Sequence, residues 1–270
     1  MSSLSKEETV ERMVLAVGDG CLKAVMQYSD GSVVMPFNKR WHCEPVDALS
    51  RLEDEVYEHP ELFEDIRMSL LLIPSLYTIA PESLVSSDGS SAIEKILDEF
   101  DLSENKECFC EKLGDTDNNL LLYSLPSGMR GFLQRCFPTD NVSSALLPYI
   151  KNNLSVASSD KGDRMWVDIT ETSADVVAFR NGRLLLANTW HWKSETDLAY
   201  YLLYAWTTLE LDKEAGHLYV SGVNDIRQKV ITLLRKYINY VASATLSAFH
   251  KEISGNGIPL SMACELKSMS

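Results

Sequence analysis

No stretch of this 270-residue sequence is long and apolar enough to cross a membrane as a helix. The longest apolar run, Met68 to Ala80, is broken by Pro74 and falls short of the roughly 20 residues a bilayer needs. Met1 to Glu8 has no basic segment leading into an apolar one, so no signal peptide is expected and the cytoplasm is the expected location. Metal chemistry lacks ligands: Cys21, Cys43, Cys108, Cys110, Cys136 and Cys264 form no Cys-x-x-Cys pair, and His42, His59, His191, His217 and His250 show no ligand spacing. Cys108 and Cys110, two apart in a strand-like run, share one face, and buried or half-buried free thiols are expected. Neither a P-loop nor a nucleophile elbow occurs. Basic residues are also few, 25 Lys and Arg against 39 Asp and Glu, for a net charge of −14. That balance argues against nucleic acid as a partner. Apolar residues, by contrast, make up 45% of the chain, enough for real cores in one large domain or two ordinary ones.

One pattern is stated twice. Met13 to Val17 is an apolar strand, followed by Gly18-Asp19-Gly20, an alternating strand through Tyr28, a turn at Asp30-Gly31 and a third strand from Ser32 to Phe37. Arg164 to Thr170, Asp175 to Arg180, a turn at Asn181-Gly182 and Arg183 to Ala187 repeat that order. Asp30-Gly31 reads as a two-residue hairpin turn, whose central positions both favour positive φ.

Between the copies, Val46, Leu49, Leu52 and Val56 are spaced for a helix over 45–57, its outer side acidic with Asp47, Glu53, Asp54 and Glu55. Arg67 to Ile73 reads as a buried central strand. Ser91 and Glu94 suggest a capping box on a helix burying Ile93, Ile96, Leu97 and Phe100. Residues 107–112 and 119–125 read as a strand pair joined by a turn at 115–118, and residues 127–154 as mostly helical, limited by Pro138 and Pro148. After the second copy, Ser194 and Asp197 cap a helix with an inward stripe of Leu198, Tyr201, Leu202, Trp206 and Leu209. His217 to Val220 reads as a strand, Ser221-Gly222 as a turn and residues 225–240 as a helix with Tyr237 inward. Arg227, Lys229, Arg235 and Lys236 read as its solvated face. The tail from Gly255 reads as loose. Trp190-His191-Trp192 in a strand puts both indoles on one face, as core packing, and His191 on the other. Each half thus counts as three strands, a helix, a strand and a helix, and fits a mixed α/β sheet with helices on its faces.

In these residues the chain resembles the actin-like ATPase superfamily, and as a whole it is similar to a bacterial family of actin-like fold without known activity. The pilus-assembly branch, with its Asp-x-Gly-x-x-x-x-Lys, is closest in rhythm. The resemblance implies two tandem ribonuclease-H-like lobes, residues 1–155 and 156–270, with a cleft between them. It also implies nucleotide contacts at Gly18, Asp19, Lys23, Asp168, Asp175 and Gly222, if these are retained. Position by position, Gly18 and Lys23 match the first motif, but Ala16 stands where its aspartate would be. Asp168 matches the second motif, while Thr170 replaces its glycine. Tyr219-Val220-Ser221-Gly222-Val223 keeps one glycine of an expected pair.

Ala16 offers no oxygen toward a hydrated magnesium ion, and a Cβ at Thr170 crowds the approach of a phosphate. Phosphoryl transfer rests on positioning and charge stabilisation, so such losses are severe. The expected function is therefore a non-catalytic pseudo-ATPase that binds a protein partner, with no cofactor, no nucleic acid and no membrane insertion. The alternative is a nucleotide binder or weak ATPase holding ATP and magnesium through Asp168 with Asp175 or Asp19. A third expectation, a sugar-kinase-like phosphotransferase, has Asp168 as its one candidate catalytic residue.

Overall fold

The apolar run that opens the first copy forms β1 (Val10–Gly18), which folds back through β2 (Cys21–Tyr28) and β3 (Val33–Arg40). The structure, a computed structural model, describes residues 9–42, 47–85, 89–101, 103, 105–114, 118–159, 161–244 and 258–269. The expectations at Met1 to Glu8, Cys43, Pro45, Val46, His250, residues 115–117 and residues 255–257 lie outside them. After α1 (Ala48–Tyr57), β4 (Arg67–Leu72) lies parallel to β1, and β8 (Val142–Ser144) lies parallel to β4. The sheet order is β3-β2-β1-β4-β8.

The second copy repeats this layout. β9 (Asp163–Ile169), β10 (Ser173–Arg180) and β11 (Arg183–His191) form the antiparallel part, and α6 (Glu195–Thr208) follows. β12 (His217–Gly222), α7 (Asn224–Leu234) and β13 (Tyr240–Ser243) complete it. The order β11-β10-β9-β12-β13, with β12 and β13 parallel to β9 and to each other, matches the first sheet strand for strand. An α/β molecule of two five-stranded mixed sheets results. Between β4 and β8 the first half carries an added antiparallel sheet, β5-β7-β6, built from β5 (Leu76–Pro81), β6 (Lys106–Lys112) and β7 (Asn119–Pro126). With it come α2 (Glu82–Val85), α3 (Ser90–Asp98) and α4 (Met129–Cys136).

Period-two alternation decides which side of each sheet meets which layer. Met13, Leu15 and Val17 face one core, while Val14 and Ala16 face another. On β9, Trp166 joins the first of those cores, and Met165, Val167 and Ile169 join a third beneath α6, where Trp206 is fully buried. The last helix of each half crosses over: α5 (Leu146–Ser159) packs on β10 and β11, and α8 (Leu260–Ser268) packs on β1 and β4. α5 and α8 also touch one another.

Several local expectations change. Asp30 does not adopt positive φ; Gly31 alone does, at 86°, and the Tyr28 N–H donates to the Ser32 carbonyl to close a three-residue loop. The Asp30 carboxylate accepts the Ser32 N–H at 2.8 Å, a local bond that favours this turn. The two-residue turn with both positions left-handed occurs instead at Asn181-Gly182. Glu55 is buried and paired with Arg51 one helical turn away. α3 starts one residue before Ser91, so no capping box forms, and Phe100 is exposed. Cys110 is exposed as well. The 127–154 region contains β8, and the 225–240 helix stops at Leu234, which leaves Tyr237 outside. Ser221-Gly222 continues β12 and pairs with Asp168-Ile169. Arg227 is buried and donates to Asn224 Oδ1. The end of the chain is the helix α8, not a loose tail.

Candidate functional site

The two opening hairpins face each other across a cleft of about 630 Å³. Asp19, Lys23, Arg40 and Tyr77 line it from the first half, and Thr170, Asp175, Thr189 and His191 from the second. Ser261 and Met262 enter from α8. A smaller adjoining cavity of about 160 Å³ is lined by Lys23, Asp168, Gly222 and Ile258 among others. Arg40 Nη1 donates to Thr172 Oγ1 at 2.8 Å and so bridges the halves.

Register places the carboxylates. Asp168 on β9 and Asp175 on β10 are direct cross-strand neighbours and therefore share a face. Asp168 neither opens on the main cleft nor caps the following turn. It is buried, with Oδ1 accepting from Ser221 Oγ at 2.7 Å and Oδ2 from the Leu260 N–H at 2.7 Å. Leu260 opens α8, so a second-half carboxylate meets one of the unpaired donors at the start of that helix. Burial pushes the Asp168 carboxyl up from its ordinary range, while Ser221 and Leu260 pull it down.

Asp175 is more strained electrostatically. Burial, with Asp168 beside it, pushes its carboxyl up to about 6, against the hydrogen bond from Thr189 and the charge of Lys23. Thr189 Oγ1 donates to Asp175 Oδ1 at 2.6 Å, and Tyr77 Oη lies 2.9 Å from the same hydroxyl. This chain ties the added sheet to β11 and β10. Lys23 is the cross-strand neighbour of Ala16 and is 92% buried, since only 8% of its surface is exposed. Its side chain lines both cavities.

The motif losses take specific forms. Ala16 belongs to the apolar cluster with Met262, Ala263 and Leu266 of α8 and also lines the main cleft, where it offers a methyl group and no oxygen. Thr170 acts through more than bulk. Its Oγ1 accepts the Ser173 N–H at 3.1 Å and the Thr172 N–H at 3.4 Å, which engages donors the hairpin would otherwise turn to a ligand. Gly18 lies at the hairpin base, where a Cβ would come within 3.2 Å of Ile73. Asp19 accepts from Ser75 Oγ at 3.4 Å. Gly222 has φ +94°, and a Cβ there would fall 1.9 Å from the Ile169 carbonyl oxygen.

Asp19, Lys23 and Asp175 thus meet in the main cleft, and Asp168 and Gly222 in its small neighbour. The sequence reading missed Ser221, Thr189, Tyr77, Arg40 and the start of α8. The last had a signal: Pro259 followed by apolar residues at 260, 263 and 266, a helix start with a helical stripe.

Two halves of identical strand order, closed around a cleft between their first hairpins, define the actin-like ATPase fold. A Bacteroides thetaiotaomicron protein of actin-like ATPase fold and unknown function matches 99% of this chain over 99% of its own, with TM-score 0.75 and 18% identity. A structure of a PilM–PilN type IV pilus biogenesis complex matches 97% of the chain over 99% of its own, with TM-score 0.60 and 12% identity. Within this fold class the chain belongs to the family described as protein of unknown function (DUF3822), whose model matches residues 17–241. No curated protein matches it in sequence. Among the described residues no helix is long and apolar enough to cross a membrane.

Proposed function

We propose that this protein is a non-catalytic, cytoplasmic binding protein on a degenerate actin-like ATPase scaffold, with lobes 1–155 and 156–270 and a protein as its partner. One observation carries the reading: the chain uses its own second-motif carboxylate to hold its own C-terminal helix. Both oxygens of Asp168 are engaged, by Ser221 and Leu260, and α8 packs in one apolar cluster with Ala16. The Thr170 hydroxyl engages the hairpin N–H groups. These residues do not fit a magnesium-bound triphosphate, which needs free carboxylate oxygens and free backbone donors. The PilM–PilN structure, itself a complex, supports partner binding as a use of this fold.

Calorimetric titration with ATP and magnesium tests the reading, with no binding expected up to millimolar nucleotide. Micromolar binding, about −8 kcal/mol, that Asp168→Ala abolishes would overturn it. A second reading rests on Lys23. Its ammonium makes no hydrogen bond or ion pair among the described residues, although it lines the cleft beside Asp175 and Asp19. In that reading a nucleotide binds through Lys23, and Lys23→Met removes the binding.

A further inference from the structure

Away from the cleft, a groove of about 750 Å³ runs along the first half. Its walls come from the turn after α1, the start of β4, the α4–β8 connection and the end of α8. Phe63 stands in it with 44% of its surface exposed, on a single turn of 3-10 helix (Pro60–Phe63). The ring has two aromatic neighbours: it stacks on Phe137 at 5.4 Å and on Tyr57 at 6.1 Å between centroids. Tyr57 is itself exposed and packs edge-on against buried Phe132. An exposed aromatic ring fixed in this way gives up little conformational freedom when something covers it.

The charge around the groove is mainly negative, with three lining carboxylates against one guanidinium. Glu64, Asp65 and Asp140 line it and are exposed, and exposed Glu58 stands on the adjoining end of α1. Among the described residues, no ion pair engages Glu64, Asp65 or Asp140. The one lining cation, Arg67, is held toward the end of α8, where its Nη1 donates to the Met269 carbonyl at 2.8 Å. An apolar floor with a ring of unpaired carboxylates repels acidic partners and attracts basic ones.

We propose that this groove docks a polypeptide segment of a partner protein, with a leucine or phenylalanine anchor against Phe63 flanked by lysines or arginines opposite Glu64, Asp65 and Asp140. The inference rests on the reading of the molecule as a binding protein and adds where and what it binds. The surface is distinct from the cleft, since none of its lining residues lines either cleft cavity. Its geometry suits a short segment, because a central aromatic contact shielded by a polar rim concentrates binding energy in few residues.

Fluorescence anisotropy with three labelled synthetic peptides tests this on the full chain. The first alternates lysine with leucine and phenylalanine, the second replaces its lysines with glutamate, and the third replaces its apolar residues with serine. The first is expected to bind, and the other two to bind about tenfold or more weakly. Glu64→Lys with Asp65→Lys, both exposed, should weaken the first peptide about tenfold without changing thermal stability, and Phe63→Ser should weaken it by at least as much. Tyr200→Ser, at an exposed position of α6 in the other half, should leave it unchanged. The proposal is overturned if the serine peptide binds as well as the first, if the double lysine variant binds as wild type, or if no peptide binds. Sedimentation equilibrium adds a further arm: self-association abolished by Phe63→Ser would make a second copy the occupant and refute a foreign segment. ATP binding in the cleft, by contrast, would overturn the pseudo-ATPase reading and leave these outcomes untouched.

Discussion

Asp175 holds its charge at a disadvantage that can be read out through pH. Its carboxyl titrates near 3.8 when unperturbed and near 6 in the fold, because burial and Asp168 oppose ionisation. Between those values the folded state binds the extra proton. Stability from this group is therefore highest below about pH 4 and falls as pH rises through 6, by ~3 kcal/mol in all. Asp175→Asn keeps an acceptor for Thr189 and removes the charge. The variant should be ~1–3 kcal/mol more stable than wild type near pH 7.5 and equal to it near pH 4, by urea unfolding at both. An unchanged pH slope would contradict this. At the same scale, Thr170 shows how sequence can give the right residue and only part of its reason. Crowding was legible in its Cβ; the bonds of its hydroxyl to the Thr172 and Ser173 N–H groups depend on how the hairpin closes.

Strands long enough to show alternation were legible as elements, and short ones were not. β1, β2, β9 and β10 carry seven to nine residues each, enough for the two faces to declare themselves. β8 has three residues and β13 four, too few for any pattern; β8 falls inside the expected helical region 127–154, and β13 beyond Tyr240 carries no expectation. The α6 cap was readable because it is local: Ser194 Oγ accepts the Asp197 N–H at 3.2 Å. Ser221-Gly222 was misread as a turn because glycine is a turn residue by default, whereas here it lets β12 press against β9. Its φ of +94° and the 1.9 Å separation from Ile169 leave no room for a methyl group. Gly222→Ala should therefore cost on the order of 3–5 kcal/mol and sharply reduce soluble yield, measured by thermal unfolding and expression. A variant that melts like wild type would show that β12 can shift away.

The exchange of terminal helices shapes the whole molecule. α5 leaves the first half to cover the second sheet, and α8 returns from the second half to cover the first. α8 thus lines the cleft through Ser261 and Met262, while its Leu266 is fully buried in the cluster with Val14, Val25 and Leu71. Leu266→Ala should lower stability by about 2–5 kcal/mol. Because α8 also carries the Leu260 N–H, the substitution should speed hydrogen exchange at Asp168 and Ser221 in the other half. Exchange confined to the first sheet would show that α8 does not couple the two.

The sequence by itself determined the repeated strand pattern, the α/β class, most long elements and the positions where the family motifs are broken. These follow from period-two and period-3.6 burial and from residue identity, which are local. Only the tertiary structure decided that Asp168 is occupied by the chain's own helix, that Lys23 is buried and that an aromatic, acid-rimmed groove stands open elsewhere. Each of these depends on contacts between residues tens of positions apart, 92 in the case of Asp168 and Leu260. No local periodicity encodes which sheet a terminal helix will cover, because either sheet offers it an apolar face.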